Sequence, residues 1–410
     1  MKGDAFDITA LQGIKLSLVF LLALMLTGCW NRKELNELAI ATAFGFDKGN
    51  DQYKVTVQII NATEIATTQG SGGRVPVLTL QATGKNSIFE AMRAMTTSAP
   101  RKMYASHLRL LVIGEDQAKA GIAKVLDWLS RDHELRTDFY IIVARDATAQ
   151  EVLQVLTPLA KLPADKMFFS LEAAMHNWGS TAKVDLHQLI YDLVDQGKDP
   201  VLTGVRILGD KRAGMTRQNL TSVTPPALLE YRGMAVFHKD KLVGWLNDKQ
   251  SRGYNFIRGN IRSTIVSLPC PAGGNLNVEL IRTSHRIKGK VVNGEPQVTV
   301  TVRAEGNIGE VECGMDIGTN EAISLLEKEL SDQIENIMKA SIARAKFYQS
   351  DIFGFGSVIH RADYKAWNRM KDRWEQKFVD LPVHVVVHAK LRRTGSVMQS
   401  FLERMEEEEN

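Results

Sequence analysis

The sequence predicts an α+β protein: three α/β-type domains with mixed or antiparallel sheets and packed helices, following a signal peptide that is cleaved. Three observations carry this. From Leu38 onward, runs with a period of two alternate with runs of helical period. In the middle, "GMAVFHKDKLVGWL" reads as a compact hairpin. Near the end, two long alternating strands meet at Asn293-Gly294 and lead into a long amphipathic helix.

The chain opens on an apolar run, Leu16 to Leu26, preceded by Lys2 and Lys15. As a helix it would span roughly 16 Å, about half of a hydrocarbon core, so it is too short to cross a bilayer. Its length suits the apolar region of a secretory signal peptide, although Asp4 and Asp7 offset the two lysines. Leu-Thr-Gly-Cys at 26–29 adds a small residue before a thiol that can be alkylated. Cys29 is therefore read as a lipid attachment site and as the first residue of the mature chain. More than one acyl chain there makes a stable anchor, because each buried methylene contributes about 0.8 kcal/mol. Trp30, followed by charges as far as Glu34, suits the bilayer interface.

The first domain is expected over 29–199. "LAIATAFGFD" and "YKVTVQII" flank a glycine-containing turn, and "VLTLQATG" follows a polar loop. Ser87 is placed to cap a helix carrying Ile88, Met92 and Met95. "HLRLLVIGE" and "TDFYIIVAR" read as strands, each followed by a helix, "DQAKAGIAKVLDWLSRD" and "ATAQEVLQVL". Helical patterns at 170–178 and 184–196 lead to a boundary at Pro200.

A small middle α/β domain is expected over 200–268, built from "VLTGVRIL", a polar loop, the hairpin turning at Lys239 to Lys241, and a helix in "DKQSRGYNFIRG". The C-terminal domain, 269–405, reads as an antiparallel sheet with a helix of about 28 residues, roughly 42 Å, capped by Thr319 or Asn320. That helix places Ile323, Leu326, Leu330, Ile334, Ile337 and Ala345 on one stripe. "LPVHVVVHAKL" closes the domain as a strand, and 406–410 is an acidic tail.

The formal net charge of +4 is a mild excess and argues against nucleic acid as a partner. Nucleophile elbows, zinc-protease helices and phosphate-binding loops are missing from the sequence, so no catalytic residue, cofactor or metal is assigned. His384 and His388 share one strand face but lack a third ligand. "FGFGS" at 353–357 reads as a turn. Cys270 and Cys313 could pair outside the cytoplasm, and their spacing leaves that open. Arg252, Arg258 and Arg262, with Tyr254 and Phe256, have the composition of a protein interface, though a plain solvated helix accounts for them equally.

Taken together, "GCWNRKELNELAIATAFGFD", "SHLRLLVIGEDQAKAGIAKVLDWLSRDHELR" and "GMAVFHKDKLVGWLNDKQSRGYNFIRG" resemble the Ger(x)C family, the lipoprotein C subunits of spore germinant receptors. The resemblance covers nearly all of the mature chain. It implies three α/β domains held on the outer face of the cell membrane or the spore inner membrane, beside two membrane-embedded receptor subunits, with no catalysis. It also implies that recognition of the germinant lies with a membrane partner. Of the family's features, only lipidation maps to one residue, Cys29. The alternative is a substrate-binding lipoprotein of a transporter, which would need two doubly wound lobes around a cleft. A lipid-anchored hydrolase is a further rival.

Overall fold

The computed structural model describes residues 13–20, 37–50, 52–61, 75–84, 87–99, 101–270, 274–312, 317 and 319–393. Cys29, Trp30, Cys313 and the tail at 406–410 lie outside them. Residues 13–20 are helical, and their Ile14, Leu16, Leu18, Val19 and Phe20 are all exposed. No helix among the described residues is long and apolar enough to cross a membrane.

The larger of two sheets has nine strands, ordered β3-β2-β1-β5-β6-β7-β8-β9, with short β4 (Lys102–Tyr104) beside β1. Its centre is parallel: β1 (Leu38–Lys48), β5 (Leu110–Ile113), β6 (Tyr140–Ala144) and β7 (Val201–Gly209). Antiparallel pairs extend both ends, β2 (Tyr53–Ile60) with β3 (Val77–Gly84), and β8 (Ala227–His238) with β9 (Lys241–Leu246). Central strands are apolar on both faces because helices cover both. Phe44, Leu111, Ile113 and Ile141 join a core under α1 (Ile88–Ala94), α3 (Ala123–Arg131) and α6 (Leu186–Val194). Ala43, Leu110, Val112 and Ile142 join the other, under α4 (Ala149–Gln154) and α5 (Pro163–Asn177).

The cap expected at Ser87 is present, and a second, not singled out from the sequence, starts α4. Ser87 accepts from the Glu90 amide, and Thr148 with Glu151 forms a reciprocal capping box on α4. The expected single helix after β5 is broken, however. Gly121, at φ 127°, ends α2 (Glu115–Ala120) before α3 begins, and the Ile122 amide turns away to the Asp240 carbonyl. The loop expected at 210–226 holds two short helices, α7 (Lys211–Gly214) and α8 (Gln218–Thr221).

The middle segment, 200–268, has no sheet of its own. β7, β8 and β9 complete the nine-stranded sheet, whereas β10 (Thr264–Pro269) opens the second. Between them, α9 (Asp248–Arg258) packs on the longest helix, α10 (Asn320–Phe347). Strand pairing runs across Pro200, since β7 pairs with β6 on one side and with β8 on the other.

The second sheet has the order β10-β11-β12-β13, with β11 (Asn275–Val292) and β12 (Glu295–Val311) forming the long hairpin. Its last strand, β13 (Val383–Arg393), runs parallel to β12, so the expected antiparallel sheet is mixed. The return needs a crossover, supplied by α10, α11 (Phe355–Ala362), α12 (Tyr364–Met370) and α13 (Trp374–Asp380). Thr319 caps α10, and the predicted stripe is buried apart from partly buried Ile323. "FGFGS" is not simply a turn: Gly354, at φ 73°, turns the chain into α11, which starts at Phe355.

Candidate functional site

The residues singled out by sequence meet in and around α9. Asn247 and Gln250 form a capping box at its start, and left-handed Gly259 ends it. Tyr254 and Phe256 are 6% and 1% exposed and belong to the core shared with α10 and the second sheet. They offer no aromatic surface, which corrects the expectation of an exposed patch. The reason is that α9 lies between the two sheets and is buried over most of its circumference, so alternate residues cannot be assigned to water from sequence.

The neighbouring arginines are also turned to internal use. Arg252 Nη1 donates to the Ile265 carbonyl at 2.8 Å, with its guanidinium over the Trp178 ring. Arg258 Nη1 donates to the Phe353 carbonyl at 3.0 Å. Only exposed Arg262 faces outward, next to His176 Nδ1 at 3.3 Å. Asn255, fully buried, donates to the carbonyls of Gly179 and Thr181. The candidate interface is thus an internal joint between the two halves of the chain.

A second junction, not legible in the sequence, lies where β7 begins. The Asp199 amide donates to the Asp351 carbonyl at 2.9 Å, and the Asp351 amide donates back to Asp199 Oδ2 at 3.1 Å. The Asp351 carboxyl accepts from the amides of Phe355 and Gly356 and from Trp374 Nε1–H. Burial pushes that carboxyl up to about 7, outweighing the three donors. Beside it, His238 Nδ1 lies 3.6 Å from Asp199 and its Nε2 lies 3.3 Å from Glu375. The Asp199 carboxylate, more than any other neighbour, raises the pKa of His238. Lys198 and Asp192 form a buried pair at 2.7 Å, and Asp195 accepts from Ser357 Oγ.

This junction walls a cavity of about 580 Å³ that also touches Leu126, Ile190 and Leu193. Its most buried carboxylates are taken up by backbone and side-chain donors of the chain itself, an arrangement that fastens segments together. His384 and His388 lie exposed on β13, at the edge of the second sheet, and no group of three or more His, Cys, Asp or Glu suited to a metal occurs among the described residues. Cys270 is disulfide-bonded.

The chain resembles known proteins along nearly its whole length. Residues 31–207 match the family described as "Spore germination protein N-terminal domain", and residues 232–395 match "Spore germination B3/ GerAC like, C-terminal". Spore germination protein KC of Bacillus subtilis (strain 168) is 32% identical over 388 residues, covering 92% of this chain and 95% of that protein. Spore germination protein B3 of the same organism is 24% identical, covering 93% and 98%. Among solved structures, that titled "Crystal Structure of the GerBC protein" aligns with a TM-score of 0.54 at 20% identity, covering 85% of this chain and 96% of that one, which is a likeness of fold. With two family domains in order and a relative above 30% identity across nearly the full length, the chain belongs to the Ger(x)C family of spore germination proteins.

Proposed function

We propose that this protein is the lipid-anchored subunit of a spore germinant receptor, held by Cys29 on the outer face of the cell membrane or spore inner membrane beside two membrane-embedded subunits. The observation that carries the reading is the near full-length relationship to spore germination proteins. The lipobox-like Leu-Thr-Gly-Cys at 26–29 supports the anchor, as do the exposed apolar residues of the helix at 13–20, which would be lost with the leader. The subunit works by holding and fitting partners together and performs no catalysis, in keeping with carboxylates that are spent on internal fastening.

The transporter-type alternative is disfavoured by the architecture, since one nine-stranded sheet fused to a four-stranded one does not make two doubly wound lobes about a cleft. The anchor is tested by expressing Cys29→Ala and washing membranes at alkaline pH. The variant should leave the membrane pellet while the parent stays. Quantitative retention of the variant would sink the anchoring role of Cys29.

A further inference from the structure

The two faces of the second sheet differ sharply. The inner face, with Val298, Val300 and Val302 on β12, packs on α10 and α11. On β11, the bulge between Leu280 and Arg282 changes the alternation, so that Arg282, Ser284, Arg286, Lys288 and Lys290 all point to the opposite face. Arg303 on β12 and Lys390 and Arg392 on β13 share that face and are exposed. Register sets them side by side: Ser284 is opposite Arg303, which is opposite His388, and Lys288 is opposite Thr299, which is opposite His384.

The result is an open, basic platform roughly 26 Å long, from Arg282 to Lys290, and three strands wide. Glu305 is its one carboxylate, held by Nε and Nη2 of Arg392 and approached by Arg282. Lys390 pairs with Glu327 from α10. Arg286, Lys288, Lys290 and Arg303 have no carboxylate partner among the described residues. Acidic Glu279 and Glu310 belong to the other end of the sheet, beyond the bulge, and Glu295 at the hairpin tip is taken by Lys377. A fold stabilises itself poorly by crowding unpaired like charges on one face, so the arrangement calls for an external anion array.

We propose that this face docks on an anionic lipid surface. A sheet face with regularly spaced Lys and Arg sets several cations against a plane of phosphate headgroups, and each cation near such a surface adds to the attraction. The membrane is the anionic surface to which a chain anchored through Cys29 is confined, so the choice of occupant rests on the anchoring reading. The face would orient the anchored body on the bilayer and so fix which surfaces meet the membrane-embedded partners.

The test is co-sedimentation of the mature chain, residues 29–410 carrying Cys29→Ala and lacking the apolar leader, with vesicles of phosphatidylcholine alone or with about one third phosphatidylglycerol, at low ionic strength. The chain should bind the anionic vesicles, and about 0.5 M salt should release it. Arg286→Glu, Lys288→Glu and Lys290→Glu together should weaken binding by about a hundredfold or more, with far-UV circular dichroism unchanged. If the reversed variant does not fold, the corresponding Gln substitutions serve in its place, with a smaller loss expected. Equal binding to both vesicles, no binding to the anionic ones, or binding that survives charge reversal would overturn the proposal. So would capture by polyglutamate without capture by vesicles, which would assign the face to an acidic protein. Because the acyl anchor is absent throughout, failure here is distinct from failure of lipidation, which the alkaline-wash experiment reads.

Discussion

Asp199 and Asp351, 152 residues apart in sequence, are tied by a reciprocal pair of hydrogen bonds, amide to carbonyl in one direction and amide to carboxylate in the other. The pair fastens the start of a strand in the large sheet to the loop between α10 and α11. Gly197 and Gly356 make the approach possible, since a Cβ on Gly197 would lie 2.4 Å from the Ser357 amide and one on Gly356 would lie 2.6 Å from Gly197 Cα.

This junction predicts how stability changes with pH. An unfolded aspartate loses its proton near pH 4, whereas folded Asp351 holds it up to about 7. Between those values the folded chain binds the extra proton, so stability falls as pH rises, by at most about 1.4 kcal/mol per pH unit from this group. His238 acts in the same direction: its raised pKa stabilises the fold below the unfolded value, and the contribution is lost as pH rises through the folded one. Thermal unfolding between pH 5 and 8 should show a falling midpoint, and Asp351→Asn should flatten the slope while lowering stability overall. A midpoint that climbs over this range would contradict the assignment.

Phe256→Ala should cost about 3–5 kcal/mol in denaturant unfolding, because the ring is fully enclosed in the core. An exposed interface residue would cost almost nothing. The same experiment therefore separates the internal joint from the surface patch that composition suggested.

Gly253→Ala should also destabilise, by about 1–3 kcal/mol. A Cβ there would lie 2.4 Å from the Ile337 carbonyl oxygen and 2.7 Å from Ser341 Cβ, forcing α9 away from α10. At Gly294, where nothing lies within 4 Å, the left-handed backbone at φ 84° is the sole constraint, and Gly294→Asn should be nearly silent.

Lys198→Ala should cost about 3–5 kcal/mol, since it strands the buried Asp192 carboxylate. Replacing both members with apolar residues should recover part of the loss. A double-mutant cycle in urea measures the coupling, and additive losses would argue against a buried pair.

Much of the fold follows from local pattern. Ser87 and Thr319 cap the helices their positions suggest, and the Asn293-Gly294 hairpin and the α10 stripe are where periodicity puts them. What sequence could not resolve depends on distant partners. The join of β7 to β8 and β9 in one large sheet, the parallel pairing of β13 with β12 and the burial of α9 on α10 are settled between segments far apart in the chain. Tyr254 and Phe256 were ambiguous for that reason, because an aromatic beside arginines looks the same at an interface and in an internal joint. Asp351 left a trace, an acid four residues before the helix start at Phe355 with Gly354 between, but nothing nearby indicated Asp199 as its partner. The basic platform was hidden because the bulge after Leu280 changes which residues of β11 face water.

Membership in a membrane-bound receptor is tested by affinity purification of the chain from detergent-solubilised spore inner membranes, followed by identification of what accompanies it. Two membrane-embedded germinant receptor subunits should co-purify in fixed proportion with the parent chain. Recovery of the chain alone, or with the permease of a nutrient transporter, would rule out a receptor-subunit role.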